Sequence, residues 1–226
     1  MGNGPVEDRS RIGAVNAMGG AVLLVVGTYL HPSKADPNDA PAAFTEYAAD
    51  PLWVTSHLAQ LLGVVLILST LVLLSWKMAD GPAAVWARLG AAGTVGCLAA
   101  TSVLQAVDGI ALKGMVDAWA SAPDQEKASL FQAAFGVRQI EIGLASITSL
   151  LFGATVSVYG IALMIDRRHP TWLGVLGIAS GSLTLVAGMV MAYTGFSAVA
   201  MAISMPSSLL LLAWIIGVGV FMWPPR

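Results

Sequence analysis

The sequence predicts an all-α protein of the membrane: a polytopic transmembrane helical bundle of about six spans, forming one integral membrane domain over residues 1–226. Three observations predict it. Of the 226 residues, 57% are hydrophobic and only 11% charged. Soluble domains carry about 25% charged residues, so this chain cannot clothe a water-facing surface. Six apolar stretches reach the ~17 residues or more that cross a bilayer. None alternates with a strand period, and backbone in hydrocarbon must satisfy its own hydrogen bonds, so the spans are helices.

The first span, 12–30, begins after Arg9 and Arg11. It exceeds the apolar region of a signal peptide and no A-x-A site follows closely, so it reads as retained. In the opening MGNGPV, Val6 stands where a myristoylation motif needs Ser or Thr, which speaks against lipidation. The second span, 52–76, stops at Lys77; the third, 85–112, stops before Lys113; the fourth, 141–165, opens on Glu141. The third carries GAAGTVG at 90–96, and the fifth, 172–193, carries GVLGIASG at 174–181. Small residues three and four apart let helices approach closely, so these glycines read as packing surfaces and not as a nucleotide loop. The sixth span, 207–223, holds Trp214 at mid-depth, where its indole N–H is expected to face the bundle.

Basic residues orient the spans. Arg9, Arg11, Lys77, Arg88, Arg167, Arg168 and Arg226 fall at one set of ends, against Lys34, Lys113, Lys127 and Arg138 at the other. The positive-inside rule then places both termini in the cytoplasm. The opposite loops are longer and acidic, with Asp36, Asp39, Glu46, Asp50, Asp117, Asp124 and Glu126. Two of them are expected to contain short interfacial helices, at AAFTEYAAD and in SAPDQEKASLFQAAFGVRQ. The third, TGFSAVAMAISMP, is uncharged and reads as a headgroup-level lid or a plain connection. No basic patch suggests nucleic acid. The single cysteine, Cys97, excludes an internal disulfide.

The inner anchors serve as depth marks. Arg11 to His31, Lys77 to His57 and Arg88 to Asp108 are each 20 residues apart, about 30 Å of helix and roughly one hydrocarbon thickness. Glu141 falls at a similar level, 25 residues from Asp166. The pairs His57–Gln60, Gln105–Asp108 and Arg138–Glu141 each share a helix face. Two faces continue inward, as Thr101–Gln105–Asp108 and Glu141–Thr148. Such stripes line an interior more readily than lipid. The bland readings compete: Arg138, Glu141 and Lys113 as interface residues or a structural ion pair, His31 as a turn residue, His169 as a solvated loop residue.

The functional expectation is an outward-facing polar pocket that binds a lipid-like or small polar ligand. His57, Asp108, Arg138 and Glu141 would line it, with Gln60 and Gln105 in support. Arginine suits the phosphate or carboxylate of a headgroup. The alternative is a metal-dependent membrane enzyme with His57, Asp108 and Glu141 as ligands to a divalent ion, although no H-E-x-x-H or cysteine cluster is present. Haem on His31 and His57 has no further support. A small transporter or a structural subunit pairing through small-residue faces is the remaining reading; the apolar inner halves of the spans argue against transport.

The stretches HPSKADPNDAPAAFTEYAADPLWVTSHLAQLLG and LQAVDGIALKGMVDAWASAP with VRQIEIG resemble small polytopic membrane proteins of actinobacteria of the domain-of-unknown-function type. The resemblance spans about two-thirds of the chain. It implies a multi-span bundle and supplies no catalytic residues.

Overall fold

A computed structural model describes residues 5–223. The myristoylation reading of the opening residues and Arg226, expected as an inner anchor, lie wholly or partly outside that range. The chain forms α1 (Pro5–Leu30), α2 (Ala40–Ala49), α3 (Trp53–Lys77), α4 (Ala84–Ala120), α5 (Asp124–Asp166), α6 (Thr171–Thr194) and α7 (Ala198–Met222). All but α2 are long and apolar enough to cross a membrane. Each of these six packs on the next, and α7 returns to α1, so the spans close a ring in chain order.

Close helix approach explains much of the glycine. A Cβ on Gly160 would lie 2.6 Å from the amide nitrogen of Ile178 and 2.7 Å from the carbonyl of Gly174. Gly153 meets Gly181 in the same way, 2.6 Å from its carbonyl, so α5 and α6 touch backbone to backbone. Gly90 and Gly93 of α4 accept Tyr159 and Thr155 of α5. Isolated side chains stitch the ring together: Thr70 donates to the carbonyl of Gly13 at 3.0 Å and Ser146 to that of Gly188 at 2.9 Å. Tyr159 donates to the carbonyl of Leu71 at 2.8 Å. Trp214 is fully buried and its indole N–H reaches the carbonyl of Leu173 at 3.1 Å, facing the bundle as expected.

The interior divides by depth. An apolar cluster around Leu71, Leu74, Met78, Tyr159, Leu163, Trp214 and Met222 fills the ring toward the end that holds Lys77 and Arg168. A second cluster closes the opposite end, where Phe44 and Tyr47 of α2 sit among Trp53, Leu112, Val116 and Ala134. Helix α2 is started by Asp39, whose carboxylate accepts the amide of Ala42 at 3.2 Å. The polar residues of interest lie between the two clusters.

The span boundaries need four corrections. The first helix starts at Pro5, before the expected residue 12. The third span continues past Leu112 to Ala120. The segment SAPDQEKASLFQAAFGVRQ does not make a separate interfacial helix: from Asp124 it is continuous with the fourth span, in a helix of 43 residues, about 64 Å long and far beyond one bilayer. The uncharged third connection is mostly the start of α7, begun by Ser197, with Pro206 inside the helix. His169 is also corrected. It is buried beside Asp166, 3.3 Å away, and not a solvated loop residue. Arg168 clamps the same carboxylate at 2.6–3.0 Å and donates to the carbonyl of Lys77 at 3.0 Å. Burial, foremost, lowers the His169 pKa.

Candidate functional site

Within α4, residues Ala106–Leu112 form a π-helical segment. Such widened turns are rare and concentrate at functional sites. This one carries Asp108. Next to it Gly109 lets the segment press on α3, because a Cβ there would stand 2.6 Å from the Cβ of His57. The carbonyl of Asp108 accepts the indole N–H of Trp53 at 3.2 Å. These two contacts hold the Asp108 carboxylate against His57.

His57 is 2% exposed and its ring packs between Trp53, at 4.5 Å, and His31, at 5.0 Å between centroids. Its Nδ1 lies 2.7 Å from the carbonyl of Trp53. A carbonyl only accepts, so Nδ1 carries a proton. That Nε2 lies 3.1 Å from Oδ2 of Asp108, close enough for a charge contact yet without hydrogen-bond alignment.

Among the described residues, eight buried side-chain polar atoms make no hydrogen bond within the protein. Five of them are His57 Nε2, Thr101 Oγ1, Gln105 Oε1, Asp108 Oδ1 and Thr148 Oγ1. All five fall on the stripes read from the sequence. The antiparallel register set by Gly90–Tyr159 and Gly93–Thr155 carries Thr101 to the level of Thr148 and Asp108 to that of Glu141. Buried polar groups are otherwise nearly always paired, and each unpaired one costs about 1–3 kcal/mol.

Arg138 and Glu141 have the opposite character. One terminal nitrogen of Arg138 donates to both carboxylate oxygens of Glu141, at 2.9 and 2.7 Å. The other reaches the carbonyl of Pro37 at 3.1 Å. The guanidinium also lies over the rings of Phe196, at 4.8 Å, and Tyr47, at 5.5 Å. Both residues are buried. Of the readings considered, the structural ion pair describes them: Arg138 ties α5 to the loop between α1 and α2, at Pro37, and to α2, at Tyr47. Burial, before any charge effect, raises the Tyr47 phenol to about 12.

No protein-family model, curated protein or solved structure matches the chain. The site therefore stands on its own residues. The structure brings His57 and Asp108 together, with Gln105 on the adjoining turn and Glu141 within electrostatic range of both. Gln60 turns elsewhere and packs on Gly27 of α1. Lys113 leaves the ring altogether, donating to the carbonyl of Ala48 at 3.2 Å and to Asp117 at 2.5 Å. Among the described residues no three His, Cys, Asp or Glu side chains are grouped to hold a metal ion.

Sequence reading missed three contributors. Trp53, four residues before His57, supplies the carbonyl that fixes its tautomer; the i, i+4 spacing was the available signal. The π segment left only Gly109 as a hint. His31 is more than a turn residue. Its Nδ1 lies 2.7 Å from the carbonyl of Pro32, and its ring stands between His57 and an open cleft of about 510 Å³. That cleft is lined by Tyr29, His31, Lys34, Glu46 and Asp50, among others. Burial, and next the neighbouring His57, lower the His31 pKa.

Proposed function

We propose that this integral membrane protein, with both termini cytoplasmic, binds a small polar ligand at His57 and Asp108, between the apolar plug of the ring and the cap formed by α2. The observation that carries the reading is the set of buried, unpaired polar atoms on α3, α4 and α5 at the π segment. A fold that leaves these atoms unpaired gives up stability that a ligand with matching groups would restore. A small ligand is favoured over a lipid headgroup for two reasons. The donors of Arg138 are already engaged by Glu141 and Pro37. Phe44 and Tyr47 of α2 are buried over the site, which leaves the His31 cleft as the approach.

His57 and Asp108 would contact the ligand directly and Gln105 would support it. Arg138 and Glu141 would hold the frame. Native mass spectrometry of the chain in mild detergent tests this. The expected result is a stoichiometric adduct that is lost in His57→Ala and in Asp108→Asn. An adduct retained by both variants would overturn the assignment.

A further inference from the structure

One ring nitrogen of His57 is fixed and the other is free to titrate. Nδ1 lies 2.7 Å from the carbonyl of Trp53, so it keeps its hydrogen whether the ring is neutral or charged. Nε2, 3.1 Å from Oδ2 of Asp108, is then the atom at which a proton comes and goes. His31 repeats the arrangement, with Nδ1 held 2.7 Å from the carbonyl of Pro32. Its ring stands 5.0 Å from that of His57 and lines the open cleft.

The surrounding charges make that proton consequential. The titratable and charged groups about His57 are His31 just past α1, Tyr47 of α2, Asp50 ahead of α3, Asp108 of α4, and Arg138 and Glu141 of α5. Helices α6 and α7 carry no charged side chain. Arg138 is taken by Glu141, and Lys113 by Asp117 and the carbonyl of Ala48. Among the described residues, Asp108 has only His57 as an ionic partner. One proton at Nε2 therefore decides whether the interior charges balance, and an unbalanced charge at membrane depth is costly. Toward the other end the ring is filled by the apolar cluster around Leu71, Leu74, Met78 and Trp214, which leaves the cleft as the side of exchange.

We propose that His57 and Asp108 form a proton-binding site that exchanges through the His31 cleft and is closed toward the apolar plug. A hydronium ion in the cleft gives its proton to the Nε2 lone pair and leaves as water; release reverses the step. The bound proton turns Nε2 from an acceptor into a donor toward Asp108 and cancels one negative charge. This goes beyond the ligand-binding reading above: the proton site stands with or without the small ligand, and it sets the charge that such a ligand meets. Acidity on the side of the cleft thereby controls the site.

Nitrogen-15 NMR of the full-length chain in detergent, labelled at histidine, tests the proposal, because the chain has only 3 histidines. His31→Phe and His169→Gln assign the signals by loss. Between about pH 5 and pH 9, Nδ1 of His57 is expected to stay protonated while Nε2 passes from N–H to lone pair. Asp108→Asn should move the midpoint of that change by about one pH unit or more. His31→Phe, which puts an apolar ring at the entrance, should slow hydrogen exchange at Nε2 about tenfold or more. An Nε2 that stays protonated throughout would make the pair a fixed ion pair and overturn the proposal; one that stays unprotonated would overturn it equally. Both outcomes are read from the wild-type chain, so they stand even if Asp108→Asn fails to fold. A midpoint unmoved in a folded Asp108→Asn would remove Asp108 from the site, and an unchanged exchange rate in His31→Phe would overturn the route. The mass-spectrometric adduct judges the small ligand separately, so either reading can fail without the other.

Discussion

Replacing Arg138 by alanine separates a structural arginine from a ligand anchor. In the folded chain its guanidinium makes two bonds to Glu141, at 2.9 and 2.7 Å, and one to the Pro37 carbonyl at 3.1 Å. Glu141 is 3% exposed. Removing the arginine leaves a buried carboxylate without its partner, and breaking a buried pair in this way costs about 3–5 kcal/mol. For chains of this length each kcal/mol moves Tm by about 2–4 °C, so Arg138→Ala is expected to lower Tm by about 6–20 °C. The double variant Arg138→Met with Glu141→Leu removes both charges and should recover most of that loss, giving a strongly non-additive cycle. Thermal unfolding in detergent, followed by tryptophan fluorescence, reads all three variants. An Arg138→Ala protein within about 2 °C of wild type, together with additive effects in the cycle, would refute the ion-pair argument.

Three further outcomes are expected. Gly160→Ala should destabilise by about 1–3 kcal/mol, since its Cβ would meet backbone at 2.6 Å. Gly96→Ala, with nothing within 4 Å, should be neutral or stabilising by up to about 1 kcal/mol through helix propensity; equal signs in thermal melts would refute the α5–α6 contact. The lowered pKa of His169 means that the unfolded chain takes up a proton that the folded chain resists, so its contribution is present above about pH 6.5 and lost as pH falls. Tm should therefore drop on acidification and drop less in His169→Gln; an unchanged acid dependence in the variant would exclude this residue. A cysteine placed at Ala122 should react with an impermeant thiol reagent in intact cells while buried Cys97 stays silent, and labelling only after lysis would invert the proposed topology.

The fold was legible where one physical constraint acts alone. Lipid demands helices, so six spans could be read from apolar length, and Trp214 at mid-depth had to turn its N–H inward. Glycine patterns identified packing faces correctly at Gly90, Gly93, Gly174, Gly177 and Gly181, whereas Gly96 of the first pattern meets nothing within 4 Å. Helix ends were harder to read because α4 and α5 run on outside the apolar stretch. There Asp124, Glu126 and Lys127 make a polar surface that looks like a loop in sequence, although α2 packs between the two extensions through Phe44.

The site was half legible, for a geometric reason. Counting residues from the arginines and lysines expected at the inner ends predicts a common depth, and His57 and Asp108 do meet. Depth leaves open the direction in which a side chain points. For Arg138 that direction was set by groups distant in sequence, the carbonyl of Pro37 and the ring of Phe196, and these turned a supposed ligand anchor into part of the frame. For α4 it was set by the π segment, whose wider turn rotates every later residue away from α-helical spacing. Lys113, which follows the predicted end of the third span, reaches α2. The same turn frees the Asp108 carbonyl for Trp53 and brings the carboxylate to His57, whose Nδ1–H is held by the Trp53 carbonyl. The imidazole and the carboxylate thus face each other across 3.1 Å. The unpaired atoms Asp108 Oδ1, Gln105 Oε1 and Thr101 Oγ1 lie on or just before the π segment, which is why the feature least visible in the sequence carries the functional argument.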